Sequence, residues 1–333
     1  MPIPEPVPLV CRPTPLHPLP RLSRMLGLDL WIKRDDLTGF AFGGNKGRKL
    51  EYLIAEALAQ GADTVVSCGA AQSNFLRQLG AACAMHGLRC VAVAMHLPYE
   101  PGFGQPQRGR LLESCGNILL DRLLGVELRI LPDGSWEELF SAAERVADEL
   151  EERGRRVYRI PVGGSSPLGA LAFREAGLEA RRQDDGFQAV VFASSSGSTH
   201  AGLAHAYAGS RTRVVGISCD PEPDLYDTLE ELCAGQDRLL GTSVGLRRTD
   251  FELRFEAVGS GYGVAERPAL EAILLMARHE GIFLDPVYSG KAFAGLLALA
   301  EARDLPQRVL FWHTGGTPTL MAVPDECWED AGA

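Results

Sequence analysis

Lysine is rare in this chain, and one of its few copies lies in a glycine-rich segment. Only four of the 33 cationic residues are lysine, and Lys46 lies in the run GGNKGRKLE, residues 43–51. Arginine can replace the charge of a lysine, but a guanidinium neither forms a Schiff base with an aldehyde nor loses its proton near neutral pH. Lys46 is therefore predicted to be a nucleophile, although chance retention of one lysine is the alternative that this residue alone leaves open.

The residues around Lys46 predict a bound anion. Gly43 and Gly44 allow the backbone to approach a ligand closely, and Lys46 opens the helix that follows. Arg48 and Lys49 fall in the same first turn, where the helix dipole disfavours positive charge. Three cations at such a position indicate an anion nearby, and a phosphate would satisfy them.

Two other loops carry small polar residues where a predicted strand gives way to a helix. In CGAAQSNFLRQ, residues 68–78, Ser73 and Asn74 begin a helix, and a purely structural N-cap is an equal alternative to ligand binding. In SSSGSTHAG, residues 194–202, hydroxyl side chains surround Gly197 and predict a nest of N–H and O–H donors for a phosphate. Because the GxxxxGK[ST] lysine is absent from this loop, nucleoside triphosphate binding is not predicted.

Three late segments add tyrosines and further glycines, namely GSGYG at 259–263, LDPVYSGKA at 284–292 and HTGGTP at 313–318. Glycines beside Tyr262 and Tyr288 let a phenol reach a cleft, where it can act as an acid or a base. Packing of either tyrosine into the core is the structural alternative.

The elements that must position these residues alternate along the chain. Apolar runs rich in β-branched residues predict buried parallel strands at 64–68, 90–95, 126–131, 157–162, 189–193, 214–218 and 308–313. Helices are predicted at 46–60, 72–85, 108–124, 135–152, 168–182, 199–208, 267–279 and 290–302. The alternation predicts an α/β fold, whose ligands bind at strand ends, and the start up to Pro20 reads as an extended arm.

Composition excludes several classes of function. A net charge of −10 and a pI near 5.3 argue against binding to nucleic acid or to an acidic membrane surface. The eight cysteines form no CxxC pair and the seven histidines no ligand spacing, so free thiols and no metal site are expected. The start MPIPEPVPLVC lacks a basic segment followed by an apolar run, and no stretch is long enough to span a membrane. A cytoplasmic enzyme for a small molecule is expected.

In this order, the segments resemble the 1-aminocyclopropane-1-carboxylate (ACC) deaminase and D-cysteine desulfhydrase family of pyridoxal-phosphate enzymes. The resemblance begins with PTPLHPLPRLS at 13–23, includes KRDDLTGFAFGGNKGRKLEYL at 33–53 and ends at HTGGTP. It implies the tryptophan-synthase β-subunit fold (fold type II), in which two domains, each an open, mostly parallel twisted sheet flanked by helices, hold pyridoxal 5'-phosphate in the cleft between them. Residues 1–55 and 160–333 would form the large domain and residues 56–159 the small domain.

The resemblance also implies a role for each motif residue. Lys46 would bond to the cofactor and carry the Cα proton. Ser73 would contact the substrate carboxylate or assist proton transfer, and Tyr262 and Tyr288 would line the substrate side. Asn74 would bind the oxygen on the cofactor ring. The cofactor phosphate would be held by Lys49, Ser195, Ser196, Gly197, Ser198 and Thr199. Lys33, expected to follow a strand, and Lys291, expected in a helix, would be structural.

Three positions bear on the substrate. Family members that open the cyclopropane ring resemble one another in carrying Glu after the second tyrosine, beside the ring nitrogen, where this chain has Ser289. A hydroxyl leaves that nitrogen less protonated and the cofactor a weaker electron sink, which suffices when a β-substituent leaves readily. Thr314, where the deaminases carry Leu, points the same way. Phe75 departs from the family, since desulfhydrase-like members commonly show His and deaminases Gln there.

The expected reaction is therefore α,β-elimination from a small amino acid, with D-cysteine giving pyruvate, ammonia and hydrogen sulfide. ACC deaminase, giving 2-oxobutyrate and ammonia, is the main alternative. L-Cysteate sulfo-lyase activity, amino-acid racemisation and cofactor binding without turnover also remain open, and Phe75 either admits a bulkier substrate or packs against the small domain. The resemblance further implies a homodimer or a higher homo-oligomer.

Overall fold

The computed structural model describes residues 3–100, 109–221 and 224–332. Its strands are β1 (Leu16–Pro18), β2 (Asp29–Arg34), β3 (Thr64–Ala70), β4 (Arg89–Met95), β5 (Glu127–Leu131), β6 (Val157–Arg159), β7 (Ala189–Ser194), β8 (Arg213–Ser218), β9 (Glu252–Arg254) and β10 (Arg308–His313). Its helices are α1 (Pro20–Leu26), α2 (Lys46–Ala59), α3 (Asn74–His86), α4 (Gly116–Leu123), α5 (Trp136–Glu152), α6 (Pro167–Gln183), α7 (Ser198–Tyr207), α8 (Leu225–Leu240), α9 (Arg267–Glu280), α10 (Ser289–Glu301) and α11 (Asp325–Asp330).

The strands form two separate sheets. One has the order β1-β2-β10-β7-β8-β9, and every pair in it is parallel except β1 with β2. The other has the order β5-β4-β3-β6 and is parallel throughout. Central strands such as β3 and β7 are buried along their whole length, as expected when helices cover both faces of a sheet. The predicted α/β fold with mostly parallel sheets is confirmed.

The motifs predicted to form the site fall at the carboxyl ends of strands from both sheets. Helix α3 follows β3, α7 follows β7, and the loop after β10 contains Thr314. Parallel strands direct these ends to one edge, so the loops converge there. The four strands of the second sheet all lie within residues 56–159, in line with the predicted small domain, whose exact limits stay a prediction.

Several predicted elements differ from the structure. The helix expected from residue 108 begins at Gly116, and residues 101–108 lie outside the described ranges. The strand expected over 157–162 ends at Arg159, since Pro161 has no N–H for the ladder. Lys33 lies within β2 rather than after a strand.

The elements that were not predicted are short or heavily charged. Strand β1 contains a proline and lies at the edge of its sheet, and β9 has only three residues. Strand β2 ends in charged residues, which obscure the apolar alternation of its buried Leu30 and Ile32 in the sequence. Helix α1 begins on Pro20, which read as part of an extended arm. Helices α8 and α11 were also absent from the prediction, although α8 carries apolar residues at helical spacing.

The cysteines are free thiols, as the sequence predicted. All eight cysteines are free, and five of them are buried. Within the described ranges, no helix combines the length and apolar character needed to cross a bilayer. In the same ranges, no cluster of three or more His, Cys, Asp or Glu side chains is arranged to hold a metal ion.

Candidate active site

A cavity opens where the motif segments meet. Concave clefts of this kind are where proteins bind small molecules. Residues of both sheets line it, including most of the predicted site residues: Lys46, Ser73, Asn74, Ser195, Ser196, Gly197, Thr199, Tyr262, Tyr288 and Thr314. The other three, Lys49, Ser198 and Ser289, are buried and lie outside this lining.

Lys46 lies at the first position of α2, with its side chain in the cavity wall. Burial lowers the pKa of its amine to about 8, against smaller opposing effects of Lys49 and Cys219. A substantial fraction of this amine is therefore neutral just above pH 7, and a neutral amine is the form that attacks a carbonyl carbon.

The other three lysines have their amines occupied by protein acceptors. Lys33 Nζ lies 2.6 Å from Glu179 Oε1 and 2.8 Å from the Thr14 carbonyl oxygen. Lys291 Nζ donates to the carbonyls of Val258 and Gly261 at 2.8 and 2.6 Å. These contacts are structural, as predicted for Lys33 and Lys291. Lys49 Nζ donates to Ser198 Oγ at 2.6 Å and to the Gly163 carbonyl at 3.1 Å.

Lys49 lies at the base of a group of hydrogen-bond donors at the start of α7, here called the anion cradle, that could hold a bound anion. Its amine is buried at the N-terminus of α7, and burial, followed by the charge of Lys46, holds its pKa well below the ordinary value. The loop Ser195–Gly197 leads into that helix, whose first N–H groups have no partners within the helix. Gly197 has φ 90°, a conformation that favours glycine. Hydroxyl groups and helix N–H groups thus converge on one wall of the cavity, and the Lys49 amine lies beyond that wall, hydrogen-bonded to Ser198.

Arg48 does not belong to this cradle. Its guanidinium is buried on the other side of α2, where it contacts Asp35 Oδ1 at 2.9 Å and Glu179 Oε1 at 3.0 Å. The prediction that three cations of this turn share one bound anion is therefore wrong for Arg48, which two internal carboxylates neutralise. Arg48 instead anchors the helix that carries Lys46.

Ser73 and Asn74 begin α3 at the cavity edge. Ser73 Oγ accepts hydrogen bonds from the N–H groups of Phe75 and Leu76 at 3.2 and 3.4 Å, so it is the N-cap of the helix as well as a cavity residue. Asn74 Oδ1 accepts a hydrogen bond from Asn117 Nδ2 at 3.0 Å. This motif is therefore an N-cap that also lines the cavity, and its contact with a ligand stays a prediction.

Tyr262 and Tyr288 form a hydrogen-bonded pair in the cavity wall. Their hydroxyls are in direct contact and their rings meet edge to face at 5.9 Å. Burial raises the pKa of both phenols, so both are neutral near pH 7. Trp136, the first residue of α5, packs edge-on against Tyr262 at 5.2 Å and joins the same wall.

Ser289 lies one layer behind the cavity. Its Oγ donates to Asp285 Oδ1 at 2.6 Å and accepts from the Asp285 N–H at 2.8 Å. Burial raises the pKa of Asp285, against hydrogen bonds from Ser289, Tyr288 and Val287 that favour its charged form. Thr314 lies on the cavity wall itself.

Phe75 packs into a hydrophobic cluster and also lines the cavity, so it has both of the environments that the sequence left open. It is almost fully buried in the hydrophobic cluster that includes Leu50 and Leu76, and it also lines the cavity. Gly164 packs directly against the ring, since a Cβ there would lie 2.9 Å from it. Phe75 is thus a fixed apolar wall.

Sequence reasoning missed several residues that shape the site. Trp136 sits in an ordinary amphipathic helix, and Asn117 and Asp285 act only through contacts that are distant in sequence. Gly163 could have been recognised from the sequence, because two adjacent glycines, Gly163 and Gly164, mark a place where the backbone needs unusual freedom. Its φ is 63°, and a Cβ there would lie 2.6 Å from Ser196 Oγ.

Comparison with known proteins gives a consistent picture. The family described as pyridoxal-phosphate dependent enzyme matches residues 7–315. A D-cysteine desulfhydrase of Salmonella newport is 40% identical over 326 residues, which cover 94% of each chain. A Pyrococcus furiosus protein named as a candidate ACC deaminase is 39% identical over 311 residues, which cover 91% of this chain and 89% of the relative.

Solved structures agree. A crystal structure of an ACC deaminase homologue superposes with a TM-score of 0.85 at 38% identity, covering 95% of this chain and 93% of the other. Threonine deaminase isoform 2 of Solanum lycopersicum superposes with a TM-score of 0.64 at 19% identity, covering 97% and 84%, and supports the fold alone.

Proposed function

Since this chain belongs to the family of pyridoxal-phosphate dependent enzymes, we propose that it is a lyase that eliminates the β-substituent of D-cysteine, releasing pyruvate, ammonia and hydrogen sulfide. One observation carries the proposal. The Lys46 amine, with its pKa near 8, lies in one cavity with an anion cradle, the Ser73 hydroxyl and a pair of neutral phenols.

The residues present fit pyridoxal phosphate. Lys49 is a buried amine whose hydrogen-bond partners are a hydroxyl and a carbonyl, so a phosphate at the start of α7 would supply the missing counter-charge. Gly163 keeps the space between Ser196 and Lys46 free of a side chain. We propose that Lys49 and the residues Ser195–Thr199 hold the phosphate, that Asn74 holds the ring oxygen, and that Thr314 and Ser289 lie on the ring-nitrogen side.

When bound, the cofactor withdraws electrons from the Cα of the substrate and so weakens its bonds. Lys46 is suited to take and return the Cα proton, because an amine with a pKa near 8 exchanges protons readily near neutral pH. Ser73 accepts two backbone N–H groups, which leaves its own hydrogen free to donate to the substrate carboxylate. The phenols of Tyr262 and Tyr288 hold their protons at neutral pH and can donate one to a departing thiolate.

The cavity wall favours an uncharged β-substituent. Phe75, Trp136, Tyr262 and Tyr288 contribute aromatic surface, and among the described lining residues Lys46 is the one lysine or arginine. A sulfonate would lack a second cation there, which argues against L-cysteate as the substrate. A thiol, by contrast, is small, weakly polar and neutral.

ACC deaminase activity is the second candidate, because two of the similar proteins are named for it. Against it stands Ser289, whose hydroxyl proton is directed to Asp285 and which offers no carboxylate of its own to a ring nitrogen. We further propose a cytoplasmic homo-oligomer and the domain limits 1–55 with 160–333, and 56–159.

The test is to offer the purified holoprotein D-cysteine and ACC in equal amounts and to identify the keto acid by mass. Pyruvate with sulfide is the expected result. Predominant 2-oxobutyrate would make the chain a deaminase, and the absence of both keto acids with a protein of full cofactor absorbance would contradict both D-cysteine desulfhydrase and ACC deaminase activity.

A further inference from the structure

Buried amide and hydroxyl side chains form a hydrogen-bonded network behind Asn74. Asn74 Oδ1 accepts a hydrogen bond from Asn117 Nδ2 at 3.0 Å. Thr319 Oγ1 and Arg77 Nη2 also donate to this oxygen, each at 3.4 Å. The four side chains are at most 6% exposed. Because Asn117 lies in α4 and Thr319 in the 3-10 turn Thr317–Ala322, three elements distant in sequence meet at one oxygen atom.

These donors fix the orientation of the Asn74 amide. An amide side chain has an acceptor oxygen at one end and an NH2 donor at the other, so its orientation follows from its partners. A reversed Asn74 would set its NH2 group against the NH2 group of Asn117 and the guanidinium of Arg77, and donors would face donors. The network therefore takes the oxygen and leaves the NH2 group for the cavity that Asn74 lines.

Asn117 is also held in one orientation. Its Nδ2 lies 2.8 Å from the Gln72 carbonyl oxygen and 3.1 Å from Thr319 Oγ1. Its backbone N–H donates to Gln72 Oε1 at 2.9 Å, and Gln72 Nε2 donates to the Cys115 carbonyl at 2.9 Å. A reversed Asn117 would set its oxygen against those of Gln72 and Asn74. Its NH2 group is therefore the donor that reaches Asn74.

We infer that Asn117 is a positioning residue, which acts by holding the Asn74 NH2 group toward the oxygen on the pyridoxal-phosphate ring. The inference rests on the role of Asn74 in the proposed function. An ionised ring oxygen needs a donor, whereas an Asn74 amide turned the other way would present its own oxygen. Hydrogen bonds to charged groups are stronger than those between neutral groups, so the orientation of Asn74 affects the affinity for the cofactor.

The first measurement is the dissociation constant of pyridoxal phosphate, from absorbance titration of the full-length apoprotein. Asn117→Leu matches the shape of the side chain without its NH2 group or any charge, and it should raise this constant about tenfold. Thr319→Val removes a hydroxyl from a side chain of nearly equal shape and should raise it several-fold, and Thr319→Ser should restore it. Thr64→Val is the matched control, because Thr64 is buried at the end of β3 away from the cavity, and it should leave the affinity unchanged.

Two further readouts separate positioning from a general loss of stability. A hydrogen bond to an ionised group favours the ionised form. In Asn117→Leu, the pH midpoint of the visible absorption of the bound cofactor should therefore rise by about one unit. In an Asn74→Ala background, Asn117→Leu should cause no further change in the dissociation constant, because the residue through which it acts is gone.

An unchanged dissociation constant in both Asn117→Leu and Thr319→Val would overturn the inference. An equal loss of affinity in the Asn74→Ala background would also overturn it, because Asn117 would then have a merely structural role. Should Asn117→Leu fail to fold, Thr319→Val and its rescue by Thr319→Ser decide the question. The expected series in a protein that makes no keto acid would instead contradict the proposed function and leave the positioning role standing.

Discussion

Lys46 differs from the other three lysines in its surroundings. Lys33, Lys49 and Lys291 each donate to oxygen atoms within the protein, whereas the Lys46 amine reaches the cavity. Rarity of lysine and a glycine-rich context made Lys46 a candidate, the family resemblance then assigned it as the nucleophile, and that role stays a prediction. Asp285 and Asn117 were beyond such reasoning, because their roles arise from partners brought close only by folding.

The lowered pKa of Lys46 predicts a pH-dependent uptake of the cofactor. Burial brings this pKa to about 8, so the neutral amine becomes more abundant as the pH rises through that value. The rate at which apoprotein recovers the visible absorption of bound pyridoxal phosphate should rise about tenfold from pH 7 to pH 9. Lys46→Ala should show no such absorption, and a rate independent of pH over this range would contradict the assigned pKa.

Ser289→Glu tests the proposed tuning of the cofactor. A carboxylate on the ring-nitrogen side should strengthen the electron sink, so we expect a lower ratio of pyruvate from D-cysteine to 2-oxobutyrate from ACC. Ser289→Gln is the control of equal size and no charge, and it should leave the ratio near that of the wild type. Both variants enlarge a buried side chain next to Asp285, so their melting temperatures must be compared first. Equal ratios of pyruvate to 2-oxobutyrate in Ser289→Glu and Ser289→Gln would contradict the proposed tuning of the cofactor by the charge at this position.

At the scale of elements, α2 is fixed by a buried ionic network. Arg48 and Lys33 both contact Glu179 of α6, and Arg48 also contacts Asp35. The sequence predicted α2 correctly from its apolar periodicity, but it predicted the wrong partner for Arg48. A cation at a helix start indicates an anion, yet only the fold decides whether that anion is a ligand or a carboxylate from another element.

Glu179→Gln should lower the free energy of unfolding by about 3 kcal/mol at pH 7. Burial alone would raise the pKa of Glu179, but Arg48 and Lys33 lower it to about 2. The stabilisation is therefore fully present above pH 4.5 and is lost as the pH falls towards 2. Urea unfolding at several pH values should show the wild type and the variant converging in acid.

Glu175→Gln is the control for this experiment. Glu175 lies in the same helix but pairs with Arg174 at a more exposed position, so its loss should change the unfolding free energy by less than about 1 kcal/mol. Equal effects of the two substitutions would show that the buried network does not anchor α2.

At the scale of the whole molecule, the site exists only where the two sheets meet. The alternation of apolar runs with amphipathic segments predicted the α/β fold, since long buried strands are visible in sequence, whereas the two separate sheets were implied by the resemblance to the family. The edge strands β1 and β9 could not be predicted from the sequence, because three residues are too few to show the alternation of apolar and polar side chains that is typical of a strand. The oligomeric partners of the chain and the packing of one sheet against the other likewise cannot be predicted from local sequence patterns.

Trp136 is one of the residues that link the two sheets across the cavity. It begins α5, which packs on the second sheet, and its ring meets Tyr262, which follows β9 of the first. Trp136→Ala should reduce kcat/KM for D-cysteine about tenfold and favour D-cysteine derivatives with larger S-substituents, because it opens the wall beside the tyrosine pair. Trp136→Phe keeps an aromatic edge and should retain most activity. Unchanged preference in Trp136→Ala would show that this ring does not limit the substrate.

Borohydride reduction of the holoprotein, followed by digestion and mass spectrometry, would identify directly the lysine that carries the cofactor. With only four lysines in the chain, the assignment is unambiguous. We expect the added mass on Lys46 alone. Attachment to Lys49, Lys33 or Lys291, or no attachment in a protein that turns over D-cysteine, would contradict it.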